Sequence, residues 1–155
     1  MTEYEGRLQA GGRVAMVVSR YHERITSRLL EGAMVACLEA GIPDTDVDVL
    51  WVAGAFELGV IVSAAAHSGR YAAIVALGAV IRGATPHFDY VAGETAAALS
   101  RAASDALVPV GFGLLTCDTM EQAAARAGGP AGNKGREAAE AALRTADLMR
   151  RALDE

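Results

Sequence analysis

The residues with the strongest chemical content lie in one run, Gly78-Ala79-Val80-Ile81-Arg82-Gly83-Ala84-Thr85-Pro86-His87-Phe88-Asp89-Tyr90. An apolar stretch, Ala72 to Leu77, precedes it and reads as a buried strand; an Ala-rich stretch follows and reads as a helix. A strand therefore ends, a Gly-containing loop follows, and a helix begins with His87 in its first turn. In open α/β sheets ligands bind outside the carboxyl ends of the strands. Backbone N–H groups of a loop entering a helix suit an anion such as phosphate. An imidazole beside that anion can carry a proton near neutral pH. The competing reading is a helix-terminal histidine with no chemistry.

Other suggestive residues occupy similar places. Ser19-Arg20-Tyr21-His22 follows a first predicted strand, Gly54-Ala55-Phe56-Glu57 follows a second, and Phe112 lies on a fourth. Tyr21 and Phe56 offer flat faces for stacking on a heterocycle, or plug the sheet edge. Glu57 falls in a helix first turn, where the dipole favours a carboxylate with or without a ligand. His22 is ambiguous, and His67 reads as a favourable charge late in a helix. Arg126, just before Ala127-Gly128-Gly129, either complements a short helix's dipole or clamps a phosphate bidentately. Lys134 adds a point charge or is merely solvated. There is no Walker or GxGxxG pattern, which disfavours a nucleoside triphosphate or dinucleotide. No His/Cys/Asp cluster has metal-ligand spacing.

Parallel strands would bring these loops to one edge, and the pattern supplies them. Val14–Val18, Val47–Val52, Ala73–Ile81 and Val108–Leu115 read as strands, near-continuous in Val, Ile, Leu and Ala as two-sided burial requires. Between them the apolar spacing predicts helices over Ile25–Ala40, Phe56–Ser68 and Phe88–Leu107, then Met120–Ala127 and Lys134–Leu153. Gly41 and Pro43 end the first helix, and Gly128 to Gly132 separates the last two. Alternating strands and helices argue a parallel sheet covered on both faces.

With 155 residues, 52% of them hydrophobic, the chain reads as a single domain over residues 1–155, with residues 1–12 as an arm that frays or pairs with a neighbouring subunit. No apolar run reaches the roughly 20 residues of a membrane span, and the first residues lack signal-peptide features. The expectation is a cytoplasmic protein with Cys37 and Cys117 as free thiols. A net charge of -5 argues against nucleic acid as the partner. Abundant alanine permits close helix packing and extensive subunit contacts.

Taken together, Gly54–Glu57, the 78–90 run and Ala131-Gly132-Asn133-Lys134-Gly135 resemble the 6,7-dimethyl-8-ribityllumazine synthase family, in matching order from about residue 6 to 152. The resemblance implies a flavodoxin-like three-layer sandwich around a four-stranded parallel sheet. It implies condensation of 5-amino-6-(D-ribitylamino)uracil with 3,4-dihydroxy-2-butanone 4-phosphate, the penultimate step of riboflavin biosynthesis, with no metal or organic cofactor. By position it implies that Tyr21 stacks on the pyrimidine and that Ala55, Phe56 and Glu57 hold the ribityl chain and uracil. Ala79, Val80 and Ile81 would read the heterocycle edge, and Phe112 would add a pyrimidine contact. Ala84 and Thr85 would form the phosphate turn, with Arg126 as a clamp from a neighbouring subunit. His87 would be the general acid/base, and Glu137 an acidic position expected near Arg126; His22, Lys134 and Glu137 are supporting candidates.

Two positions depart from the family pattern. His22 stands where many members have Asn, and Pro130 where some have Lys. Family members form pentamers, decamers or sixty-chain shells. The short connection Gly128–Asn133 lacks the insertion of pentamer-only members, so a shell of pentamers with active sites at subunit interfaces is expected, and riboflavin synthase is a candidate partner. Three rival readings remain: a non-catalytic flavin or lumazine binder, a purely structural shell protein, and a riboflavin synthase of this fold.

Overall fold

A computed structural model describes residues 1–154. The strands β1 (Val14–Ser19), β2 (Val47–Val52), β3 (Ala73–Ile81) and β4 (Val110–Cys117) form one sheet in the order β2-β1-β3-β4. All three pairings are parallel, with Met16 opposite both Val49 and Val75, and Ala79 opposite Leu115. The helices are α1 (Glu23–Glu39), α2 (Leu58–His67), α3 (His87–Ala106), α4 (Met120–Ala125) and α5 (Lys134–Ala152).

Strand periodicity divides the core between two faces. Val14, Met16, Val18, Val75 and Leu77 pack on one side with Leu29, Ala33, Ala139 and Leu143 of α1 and α5. Ala15, Val17, Ile74 and Ala76 pack on the other with Leu58, Val62, Leu99 and Ala102 of α2 and α3. Each large apolar side chain buried this way contributes about 1.5–3 kcal/mol. The result is an α/β sandwich with helices on both faces. Gly135 lets α5 approach α1 closely, since a Cβ there would collide with the Leu29 backbone. Both cysteines are free and buried, and burial pushes the Cys37 thiol up to about 11, which makes it a poor nucleophile. No described helix is long and apolar enough to cross a membrane.

Several boundaries differ from the sequence expectation. β4 begins at Val110, not Val108, and continues to Cys117. Leu107 takes a left-handed conformation (φ 56°) that ends α3, and Pro109 has no N–H to give the sheet. A 3-10 turn, Ala55–Glu57, precedes α2, so Glu57 is that helix's N-cap. α4 stops at Ala125. The glycine-rich stretch after it is not only a break: β5 (Ala127–Gly129) and β6 (Gly132–Asn133) form a small antiparallel hairpin. Gly128 and Gly132 supply its positive φ values of 95° and 88°. The arm forms no strand among the described residues. It lies along α5, where the Arg7 N–H donates to the buried Asp147 carboxylate at 2.7 Å. The Ala10 N–H donates to the Ala40 carbonyl at 2.9 Å.

Candidate functional site

Strand order places β1 between β2 and β3, so the connections after β1 and β3 diverge. A crevice at such a switch point is where open α/β sheets bind ligands. Here it is a cleft of about 980 Å³ at the carboxyl ends of β1, β2 and β3.

Each wall is held by backbone and buried hydroxyls. Beyond β1, the Arg20 and Tyr21 N–H groups continue the sheet pattern onto the Val52 and Ala53 carbonyls at 2.8 and 3.1 Å. The buried Thr26 hydroxyl donates to the Ser19 carbonyl at 2.7 Å, fixing α1 to the same corner. These bonds present Tyr21, 66% exposed, over the cleft, with the His22 ring edge-on at 4.5 Å. His22 is left-handed (φ 59°, ψ 47°) and caps α1, its carbonyl accepting from the N–H groups of Ile25 and Thr26. Burial lowers its imidazole pKa below the ordinary value.

Beyond β2, the Thr95 hydroxyl donates to the Ala55 carbonyl at 3.3 Å, tying the 3-10 turn to α3. Ala55 is buried in the floor, Phe56 is 62% exposed, and Glu57 places a carboxylate over Gly54. The floor continues through Ala79, Val80 and Ile81 at the end of β3. The exposed turn 83–86 then leads to His87, the first residue of α3, whose N–H donates to the Thr85 hydroxyl at 3.4 Å.

The structure thus brings Tyr21, His22, Ala55, Phe56, Glu57, Ala79, Val80, Ile81 and His87 to one cavity. Ala84 and Thr85 form the turn immediately before His87 without lining the cavity itself. Tyr90, Val91 and Glu94 also line it and were missed as site residues. With His87 they make one face of α3 at intervals of three and four, a signal available in the sequence.

The remaining expected residues lie elsewhere on this chain. Phe112 pairs with Ala76, five residues before the end of β4, about 16 Å short of the strand's carboxyl edge. Its strand position, not its residue type, keeps it from the cleft of its own chain, and it is 45% exposed. Arg126 is the C-cap of α4 rather than part of its last turn. Its guanidinium donates back to the Gln122 carbonyl at 3.0 Å, as the dipole reading expected. Its carbonyl accepts from the Lys134 N–H at 2.8 Å across the hairpin. Glu137 faces Lys134, its carboxylate 4.0 Å from the ammonium.

Charge is divided accordingly. The cleft carries the carboxylates of Glu57 and Glu94, and among the described residues no lysine or arginine lines it. Arg126 and Lys134 sit together at the hairpin. One cleft thus holds flat aromatic faces, two carboxylates and the His87 imidazole, while Arg126 and Lys134 stand outside it.

A family model described as 6,7-dimethyl-8-ribityllumazine synthase matches residues 11–150 of this chain. A protein of Gemmatimonas aurantiaca that carries the same name is 55% identical over 154 residues. That match covers 99% of this chain and 94% of the relative.

Proposed function

The chain belongs to the 6,7-dimethyl-8-ribityllumazine synthase family and is an enzyme of riboflavin biosynthesis; from that premise we propose that it condenses 5-amino-6-(D-ribitylamino)uracil with 3,4-dihydroxy-2-butanone 4-phosphate. The products are the lumazine, phosphate and water, and the step is the penultimate one of the route. The observation that carries this reading is the convergence of Tyr21, Phe56, Glu57, the Ala79–Ile81 floor and His87 on one cleft.

The geometry suits each half of the chemistry. The aromatic faces of Tyr21 and Phe56 hold the pyrimidine, and the Glu57 carboxylate accepts from ribityl hydroxyls. The substrate amine condenses with the butanone carbonyl to an imine, releasing one water; phosphate is then eliminated, and the second amine closes the ring with loss of a second water. Imine formation and elimination both move protons, which His87 supplies and removes at the mouth; a positioned acid/base contributes roughly 10²–10⁴-fold. The turn at Ala84 and Thr85 offers backbone N–H groups to the leaving phosphate. Much of the remaining acceleration is orientation of two reactants in one cleft.

The absence of lysine and arginine from the lining of the cleft, among the described residues, favours a site completed by a second copy. In this reading a neighbour's Arg126 clamps the phosphate, with its Lys134 nearby, and its exposed Phe112 covers the pyrimidine. The tight Gly128–Asn133 connection supports assembly of pentamers into a shell. Mixing purified protein with both substrates, while following lumazine absorbance and phosphate release, tests the reaction. Joint formation of both products above the spontaneous background is expected. No excess product from folded protein would favour a ligand-binding or shell role, and turnover of lumazine alone would favour a riboflavin synthase.

A further inference from the structure

Arg82 follows β3 and starts the exposed turn that leads to His87. Its N–H donates to the Cys117 carbonyl at 2.8 Å, the last backbone tie between β3 and β4. Its guanidinium then reaches past the turn to three groups. Nε donates to Asp118 Oδ1 at 2.9 Å, and Nη1 lies 3.6 Å from Asp89 Oδ1. The guanidinium carbon stands 4.4 Å from the centre of the Phe88 ring. Phe88 and Asp89 are the two residues directly after His87. The side chain of Arg82 therefore brackets residues 83–87 from both sides.

The turn has few other ties, beyond the buried Phe88 ring that follows it and the Asp89 N–H bond to the Pro86 carbonyl at 3.0 Å. The start of α3 has no side-chain cap, and the His87 N–H bond to Thr85 is long at 3.4 Å. We propose that Arg82 is a positioning residue, a strut between the end of β4 and the first turn of α3 that fixes the phosphate turn and His87 relative to each other. This rests on the function proposed above. Arg82 is not offered as the phosphate ligand, because two carboxylates already face its guanidinium and would repel a third anion. The planar fork is needed: it engages two carboxylates while stacking on a ring, which an ammonium cannot reproduce.

The test uses the assembled enzyme and the variants Arg82→Ala, Arg82→Lys and Asp118→Asn. Asp118 meets the strut without lining the cleft. In Arg82→Ala, kcat/KM for the butanone phosphate should fall roughly 10- to 100-fold, the scale of an ångström-level misplacement. The KM for the ribitylamino-uracil, held by the loops after β1 and β2 and by the Ala79–Ile81 floor within the sheet, should stay within about two-fold. Arg82→Lys should recover little, Asp118→Asn should show a smaller loss of the same kind, and the double variant should be no worse than Arg82→Ala. Hydrogen exchange should quicken over residues 82–90 and not over 53–58. Equal rises in both KM values, additive losses, or unchanged exchange over 82–90 would each overturn the strut. Were the unaltered enzyme to form no lumazine, the proposed reaction would fall, and the exchange comparison would still decide the role of Arg82.

Discussion

His22 takes on a backbone conformation that most side chains avoid, and its residue type explains why it is tolerated. Left-handed backbone costs roughly 1–2 kcal/mol for an ordinary L-residue, while Asn, Asp and His are enriched there. The position is thus a backbone requirement as well as a place on the cleft wall. His22→Val should lower stability by about 1–2 kcal/mol in denaturant unfolding, and His22→Asn should not. The imidazole adds a pH term. Burial lowers its folded pKa, so the folded state resists charging it. Its contribution is complete above the unfolded value of about 6.5 and is lost as pH falls through that value toward the lower folded one. His22→Asn should flatten the stability profile on the acid side of about 6.5; an identical profile in the variant would show that His22 does not titrate in this way.

At the scale of elements, the arm and α5 form a latch around one buried carboxylate. Asp147 accepts from Arg151 Nε at 2.8 Å and from the Arg7 N–H at 2.7 Å, and Arg151 also reaches the Glu5 carbonyl. The Arg151 bond, then the Arg7 bond, hold its pKa below the usual carboxylate range. A depressed carboxylate gives stability above its unfolded pKa and loses it as pH falls through the folded value. The arm should therefore stay protected from hydrogen exchange at about pH 5 and loosen only below about 3.9. Asp147→Ala should expose residues 1–12 to proteolysis at neutral pH while the sheet persists; an arm equally resistant in the variant would show that other contacts hold it. This latch was not legible in the sequence, because nothing local marks Asp147 as the acceptor for a residue 140 positions away. The strands were legible because two-sided burial leaves uninterrupted apolar runs in β1 and β3. The β5–β6 hairpin was not, since three and two residues carry no periodicity. The cleft residues at strand ends were legible through topology, whereas the Tyr90–Glu94 face required reading α3 at helical spacing.

For the whole molecule, the decisive feature is that His87 lines the cleft while Arg126 stands outside it, so the proposed acid/base and the proposed phosphate clamp do not meet within one chain. Val60, Trp51, Leu38 and Phe112 are exposed apolar side chains. Assembly into a shell predicts a light-scattering mass of about sixty chains; a particle of about five would limit assembly to the pentamer. Shared sites predict something sharper, independent of how many pentamers join. Let His87→Ala and Arg126→Ala each be made alone. The first should slow turnover with modest loss of binding; the second should weaken butanone phosphate binding far more than uracil binding. Each pure variant then has one defect in every site. In a heterologous ring, a site takes its His87 from one subunit and its Arg126 from the next. When the two variants are co-expressed in equal amounts, a subunit with intact His87 meets a neighbour with intact Arg126 in about one quarter of random pairings. Activity should therefore return to about one quarter of the unaltered level in the mixed particle. If both groups act within one chain, every site keeps a defect, and co-assembly yields no more than the average of the two variants. The mixed particle thus asks directly whether the cation missing from the cleft comes from next door.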